Sequence, residues 1–235
     1  MATTRNPQAA PRLSKAAVVE RALALADELG LEALTIRRLA QELGVTPMAL
    51  YWHFRSKEEL LAGLGDRVWA EIDVDIDAAA DWPAQLRGLL ESLVAMLRAH
   101  PSASQLLLAG EKMHGEASIM ATETALAVLR RGGFTPEQAS EIARNAMWTG
   151  LTLVMSEPGF DPAGTLEERT EVMRQSRIRL AMLPPDRFPR VVEAAGPLTA
   201  CDDPDFHYQF GIDLFIAGVV AVAAKPRSPR AAAGG

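Results

Sequence analysis

The chain has a single cysteine in 235 residues, Cys201, so it has no internal disulfide framework and is expected in a reducing compartment. No stretch of about 18 apolar residues is free of charge. The opening residues MATTRNPQAAPRLSK are polar and broken by proline, unlike an apolar leader. A cytoplasmic protein that does not span a membrane is the expectation. Alternating runs of Val, Ile and Thr, the mark of half-buried strands, are missing. So are G-x-S-x-G, a phosphate-binding glycine loop and C-x-x-C. Glu111 and His114 form one E-x-x-H pair where a di-metal helical bundle needs two. No enzyme, cofactor or metal is therefore expected.

What the chain does have is apolar periodicity near 3.6 residues, which predicts an all-α fold. Its formal charge of −6 is unevenly spread. Residues 1–57 carry eight Lys and Arg against five Asp and Glu, while residues 58–235 carry sixteen against twenty-five. A small basic head on an acidic body can bind an anion locally.

The signals along the chain divide it into helices. Ser14 and Gly30 bound a first helix at 15–29, with Val18, Ala22, Leu25, Ala26 and Leu29 on its apolar face. A short helix follows Thr35 and stops at Gly44, and another starts at Thr46 with Pro47 at its first position. Ser56 and Glu59 read as a capping box for a longer helix carrying Leu60, Leu61, Leu64, Val68 and Ile72. Further helices are expected at 83–99, about 102–110, about 116–131, 136–156, 165–183, near 186–195 and at 205–224. The boundaries that follow are a flexible arm at 1–13, a head at 14–62, a body at 63–224 and a disordered tail at 225–235.

Two short helices joined by a tight glycine turn behind a supporting helix make a helix-turn-helix. Ile36, Leu39, Ala40, Leu43, Val45, Leu50 and Phe54 account for its core. Thr35, Arg37, Arg38, Thr46, Pro47, Met48, Ala49, Tyr51, Trp52, His53 and Lys57 are left to face outward. Arg37 and Arg38 sit in the first turn of a helix, where the macrodipole disfavours cations, so an anionic partner rationalises them. A phosphate backbone is such a partner.

In LTIRRLAQELGVTPMALYWHFRSKEELL, capping, turn and aromatic run stand in one register, and the block resembles the DNA-binding domain of the TetR family of transcriptional repressors. The resemblance implies that Thr35 and Arg37 reach DNA, with Arg38 on the backbone. It places Pro47, Met48 and Ala49 near base edges, Tyr51 and His53 on phosphates or bases, and Lys57 on a phosphate. Trp52 is left open between core and surface. Pro47, Met48 and Ala49 offer only apolar contact and shape, so Arg37 is expected to carry much of the base readout.

The remaining residues exceed what a scaffold for the head requires. Ala139, Ala143, Ala146 and Gly150 fall on one stripe, and Gly211 and Gly218 share a face near Leu214. Small stripes let helices approach closely, so these residues are the expected dimer interface. GGFTPEQA and FHYQFGIDLFIAGV resemble the C-terminal domain of the tetracycline-repressor branch of the family, which implies a helical cavity for a small effector that releases operator DNA. Apolar and aromatic side chains suit such a cavity: Met96, Leu107, Met113, His114, Met147, Trp148, Met155, Met173, Phe206 and Phe210 are its candidates. Where that branch chelates tetracycline through a metal, Leu107 and a position near Val154 stand here, a departure that points away from tetracycline and from a metal. The expected protein is a homodimeric DNA-binding regulator with a small-molecule effector. The alternative is a small-molecule-binding protein without specific operator binding.

Overall fold

The computed structural model describes residues 13–75, 77, 79–108, 115–157, 165–200 and 203–224. Most of its α-helices begin at a local side-chain cap, and no strand occurs among the described residues. The expected arm through residue 12, the tail from 225, Cys201, and Glu111 to His114 lie outside the described residues.

Helix α1, Lys15–Leu29, starts where the Ser14 hydroxyl accepts the Ala17 N–H at 3.1 Å, and it ends at Gly30 with φ +83°. It buries Val18, Val19, Ala22, Leu23, Leu25 and Ala26. Leu29 was expected on that face but is exposed; Leu34, just past a 3₁₀ turn at Leu31–Ala33 that the periodicity did not reveal, is fully buried instead. Helix α2 is Ile36–Glu42 and α3 is Pro47–Tyr51, with Gly44 at φ +65° in the turn between them. Helix α4, Lys57–Trp69, leaves the head and buries Leu60, Leu64 and Val68, each worth roughly 1.5–3 kcal/mol. Only half of the expected capping box forms. The Ser56 hydroxyl accepts from Glu59 N–H, but the Glu59 carboxylate accepts from Arg55 N–H at 2.8 Å, one residue earlier than the box requires.

The body consists of α5 (Trp82–Ala99), α6 (Pro101–Leu108), α7 (Glu116–Arg131), α8 (Pro136–Met155), α9 (Leu166–Ala181), α10 (Pro189–Glu193) and α11 (Pro204–Ala223). Reciprocal capping boxes at Thr135/Gln138 and Thr165/Glu168 start α8 and α9. Helices α5, α7, α8 and α11 pack on one another, while α4 packs on α1 in the head and on α6 and α7 in the body. Helix α9 has α10 as its principal partner and is otherwise largely exposed. Helix α11 is long and apolar enough to cross a bilayer by length and composition. One side of it, with Tyr208, Ile212, Ile216 and Val219, is buried in the body, and Arg87 of α5 pairs with its Asp213.

Candidate nucleic-acid interface and ligand cavity

The head exposes polar and basic side chains on α2 and α3. Thr35 caps α2 by accepting the Arg38 N–H at 3.1 Å, and Thr46 caps α3 by accepting the Ala49 N–H at 3.3 Å. These caps fix where each helix begins and hold both hydroxyls at the surface. Arg37 and Arg38 are exposed and form no ion pair among the described residues. With Thr35, Gln41 and Glu42 they line a shallow polar depression on α2. Glu42 would repel phosphate, but Arg21 holds its carboxylate at 2.7 Å. Gln41 was not singled out from the sequence, because a polar residue on a short amphipathic helix carries no signal of its own.

On and after α3, Leu50 and Phe54 are buried while Thr46, Pro47, Met48 and Tyr51 are exposed, and Ala49, His53 and Lys57 are partly so. All ten expected DNA-facing residues are thus at least partly accessible, and Thr35, Arg37 and Arg38 line the same depression. Trp52 is 85% exposed, so it is not part of the core.

A cavity of about 450 Å³ lies between α4, α5, α7 and α8. Trp69 and Ile72 reach it from the end of α4, and Leu86, Leu89, Leu90 and Leu93 come from α5. Helix α7 adds Ala121, Thr122, Ala125 and Leu126, and α8 adds Ser140, Ala143, Arg144, Ala146, Met147 and Trp148. The wall is mostly apolar, with two hydroxyls and one guanidinium. Arg144 is paired with Glu141 one turn earlier at 2.8 Å.

Of the ten expected cavity residues, Met147 and Trp148 line it. Met96 is buried in the core, and Leu107 packs against that core from α6. Met155 is exposed at the end of α8, and Met173 lies on α9 away from the cavity. Phe206 and Phe210 stack on each other at 5.4 Å on the exposed side of α11. Met113 and His114 lie outside the described residues. The expectation followed side-chain type, whereas the cavity is defined by where four helices diverge.

The small stripe of α8 is likewise corrected. Ala139 is fully buried, Gly150 gives room to Leu93 and Leu90 of α5, and Ala143 and Ala146 face the cavity. Gly211 is filled by Leu153 of the same chain. The closeness that small residues permit is thus used inside the subunit. Leu214 and Gly218, by contrast, are exposed, and Gly218 has open space where a Cβ would stand. Among the described residues, no group of three His, Cys, Asp or Glu side chains is placed to hold a metal ion.

A helix-turn-helix head carried by a long helix into a hollow helical body defines a class, that of one-component DNA-binding regulators, and comparison with known proteins identifies the family within it. Residues 18–64 match the pattern described as bacterial regulatory proteins, tetR family, and residues 77–223 match the tetracyclin repressor-like C-terminal domain. The chain belongs to the TetR family of bacterial transcriptional regulators, whose members are not enzymes. It is 35% identical to the HTH-type transcriptional repressor DrrR1 of Streptomyces coeruleorubidus over 144 residues, 60% of this chain and 53% of that protein. It is 27% identical to the class G tetracycline repressor of Vibrio anguillarum over 209 residues, covering 88% of this chain and 93% of that one. Among solved structures, ActR of Streptomyces coelicolor in complex with actinorhodin superposes with a TM-score of 0.78 at 28% identity, covering 92% of this chain and 99% of that one.

Proposed function

We propose that this regulator is a cytoplasmic homodimer that represses transcription from a palindromic operator and is released by a small apolar or aromatic effector bound in the cavity. The observation that carries the effector-release reading is the span of α4. Its first residue, Lys57, borders the proposed DNA-facing surface, and Trp69, its last residue, and Ile72 just beyond it form part of the cavity wall. A molecule that rearranges those two side chains acts on the helix that carries the head, and it shifts the equilibrium by its preference for the released arrangement. The ActR complex with actinorhodin supports a ligand-holding body. Leu107 and Val154, where a metal-chelated tetracycline would need ligands, are apolar.

Dimerisation is assigned to α11 and the adjoining end of α8. Phe206, Phe210, Leu214 and Gly218 repeat along one exposed face of α11, and Trp148 and Met155 are exposed on α8. An apolar face of this size seeks a partner, and a second copy gives the two-fold symmetry of a palindrome with half-sites ~34 Å apart.

Fluorescence anisotropy on DNA from upstream of the chain's own gene tests the proposal. Salt-sensitive binding at least roughly a thousandfold tighter than to unrelated DNA, relieved stoichiometrically by apolar aromatic compounds, is expected. Binding of such compounds with no preference among DNA sequences would make the chain a small-molecule-binding protein instead.

A further inference from the structure

His100 ends α5 at the point where head, connecting helix and body meet. Its Nδ1 lies 2.7 Å from the Asp27 carboxylate of α1, and its Nε2 lies 2.9 Å from the Glu71 carboxylate just beyond α4. The ring is mostly buried, with 17% of the side chain exposed. A neutral imidazole has one N–H and could satisfy only one of these acceptors, leaving a ring lone pair against a carboxylate. The imidazolium satisfies both. Asp27 does more: its second oxygen accepts the backbone N–H of Ser102 at 3.1 Å and the Ser102 hydroxyl at 2.6 Å, so a head residue caps the first turn of α6. Arg67 of α4 holds Glu71 at 2.6 Å and also pairs with Glu20 of α1.

We infer that protonated His100 is a strut that locks the DNA-binding head onto the body, and that its loss loosens the head and weakens operator binding. Two heads must be presented at a fixed separation, and a loosened head has to be reordered on DNA at an entropic cost.

The surroundings set the direction. Burial disfavours the charged ring, but the hydrogen bonds and charges of Asp27, then of Glu71, outweigh it and hold the His100 pKa above its ordinary value. Burial likewise opposes ionised Glu71, while Arg67 and then His100 pull its pKa below the usual carboxylate value. Among the other elements at the junction, α6 carries no charged side chain, and Glu32 of the 3₁₀ turn is exposed and makes no ion pair to the ring. A raised histidine pKa means that the tie is fully present below about 6.5, the ordinary value, and is lost as pH rises through the folded-state value. A depressed Glu71 pKa means that its share is lost only as pH falls through that lower value.

The inference rests on the regulator binding an operator, so the test has one arm without DNA. In ring NMR of the full chain, with the His100 signal assigned by its absence in His100→Gln, His100 should titrate above its ordinary value and move down in Asp27→Asn. In the second arm, affinity for the upstream fragment is measured at fixed salt from about pH 6 to about pH 9. Wild type should lose roughly two- to thirtyfold more than His100→Gln does, the range reached by residues that couple distant sites. The comparison cancels His53, which both proteins retain at the DNA surface. Glu71→Gln, which removes an exposed partner and spares the fold, should flatten the wild-type profile in part. A wild-type to His100→Gln affinity ratio that stays constant with pH, or a ring titrating at or below its ordinary value, overturns the strut. A raised titration with no fragment bound at any pH overturns the operator reading, and with it the DNA half of the proposal.

Discussion

The Asp66 carboxylate of α4 accepts the backbone N–H of Ala117 at 3.0 Å, capping a helix in another part of the chain. Helix α7 has no side-chain cap of its own, because Gly115 stands at its N-cap position. That glycine is required by the same contact, since a Cβ there would fall on the Asp66 carboxylate. Asp66→Ala should cost about 0.5–2 kcal/mol, the worth of an N-cap, and lower the melting temperature by about 2–4 °C per kcal/mol. Gly115→Ala should destabilise by pushing Asp66 away. The double variant should cost less than the two singles added, because both break one contact. Thermal unfolding of the four proteins reads this directly, and strict additivity would mean that the two residues do not act together.

Filling the cavity should separate effector binding from DNA binding. Ala143 faces the void from α8, so Ala143→Leu places new carbon atoms where the effector would sit without displacing packed core. Effector affinity should fall roughly tenfold, about 1.4 kcal/mol, with operator affinity unchanged. Arg144 is the one formal charge among the described lining residues. Arg144→Gln should therefore weaken anionic aromatic effectors more than neutral ones of the same shape. Calorimetric titration of matched acid and amide compounds checks both; equal loss for acid and amide would place Arg144 outside the contact.

Most helices were legible because their signals are local. Ser14, Thr35, Thr46, Thr135 and Thr165 each cap a helix within three residues of themselves, and the pattern Leu39, Ala40, Leu50, Phe54 separates core from surface in the head without tertiary information. What stayed hidden depends on distant pairs. Asp27 caps α6 across 75 residues and Asp66 caps α7 across 51. His100 reads as a plain helix end until Asp27 and Glu71 are folded onto it. The cavity is hidden in the sequence for a related reason: Leu89 and Leu126 line it, yet in sequence they are indistinguishable from core leucines such as Leu97. A stripe of small residues says that something approaches closely, not whether it comes from the same chain, and Gly150 against Leu93 settles that for α8.

Leu214 tests the subunit contact. It is 60% exposed in the single chain, on the side of α11 opposite Ile212 and Ile216. Leu214→Glu adds a charge to an apolar face and removes nothing from the core, so the folded chain should remain while sedimentation shows a monomer. Operator binding should fall with it, because each half-site alone is held by one head. A dimer surviving this substitution would move the interface elsewhere.

The head gives the sharpest contrast between stability and function. Tyr51, Trp52, Arg37 and Arg38 are exposed and Lys57 is partly exposed, so truncating any of them to alanine should change stability by no more than about 0.5 kcal/mol. Phe54→Ala should cost about 3–5 kcal/mol, because Phe54 is fully buried. Lys57→Ala and Arg38→Ala, if these side chains meet phosphates, should weaken all DNA alike and lower the salt slope by about 0.9 each. Arg37→Ala should instead reduce discrimination between operator and mismatched DNA, by roughly 1–3 kcal/mol if it reads a base pair. Pro47, Met48 and Ala49 offer little hydrogen bonding at the groove, so a loss of discrimination confined to Arg37 would place specificity on α2. Its absence would shift the readout to shape and thymine-methyl contacts along α3.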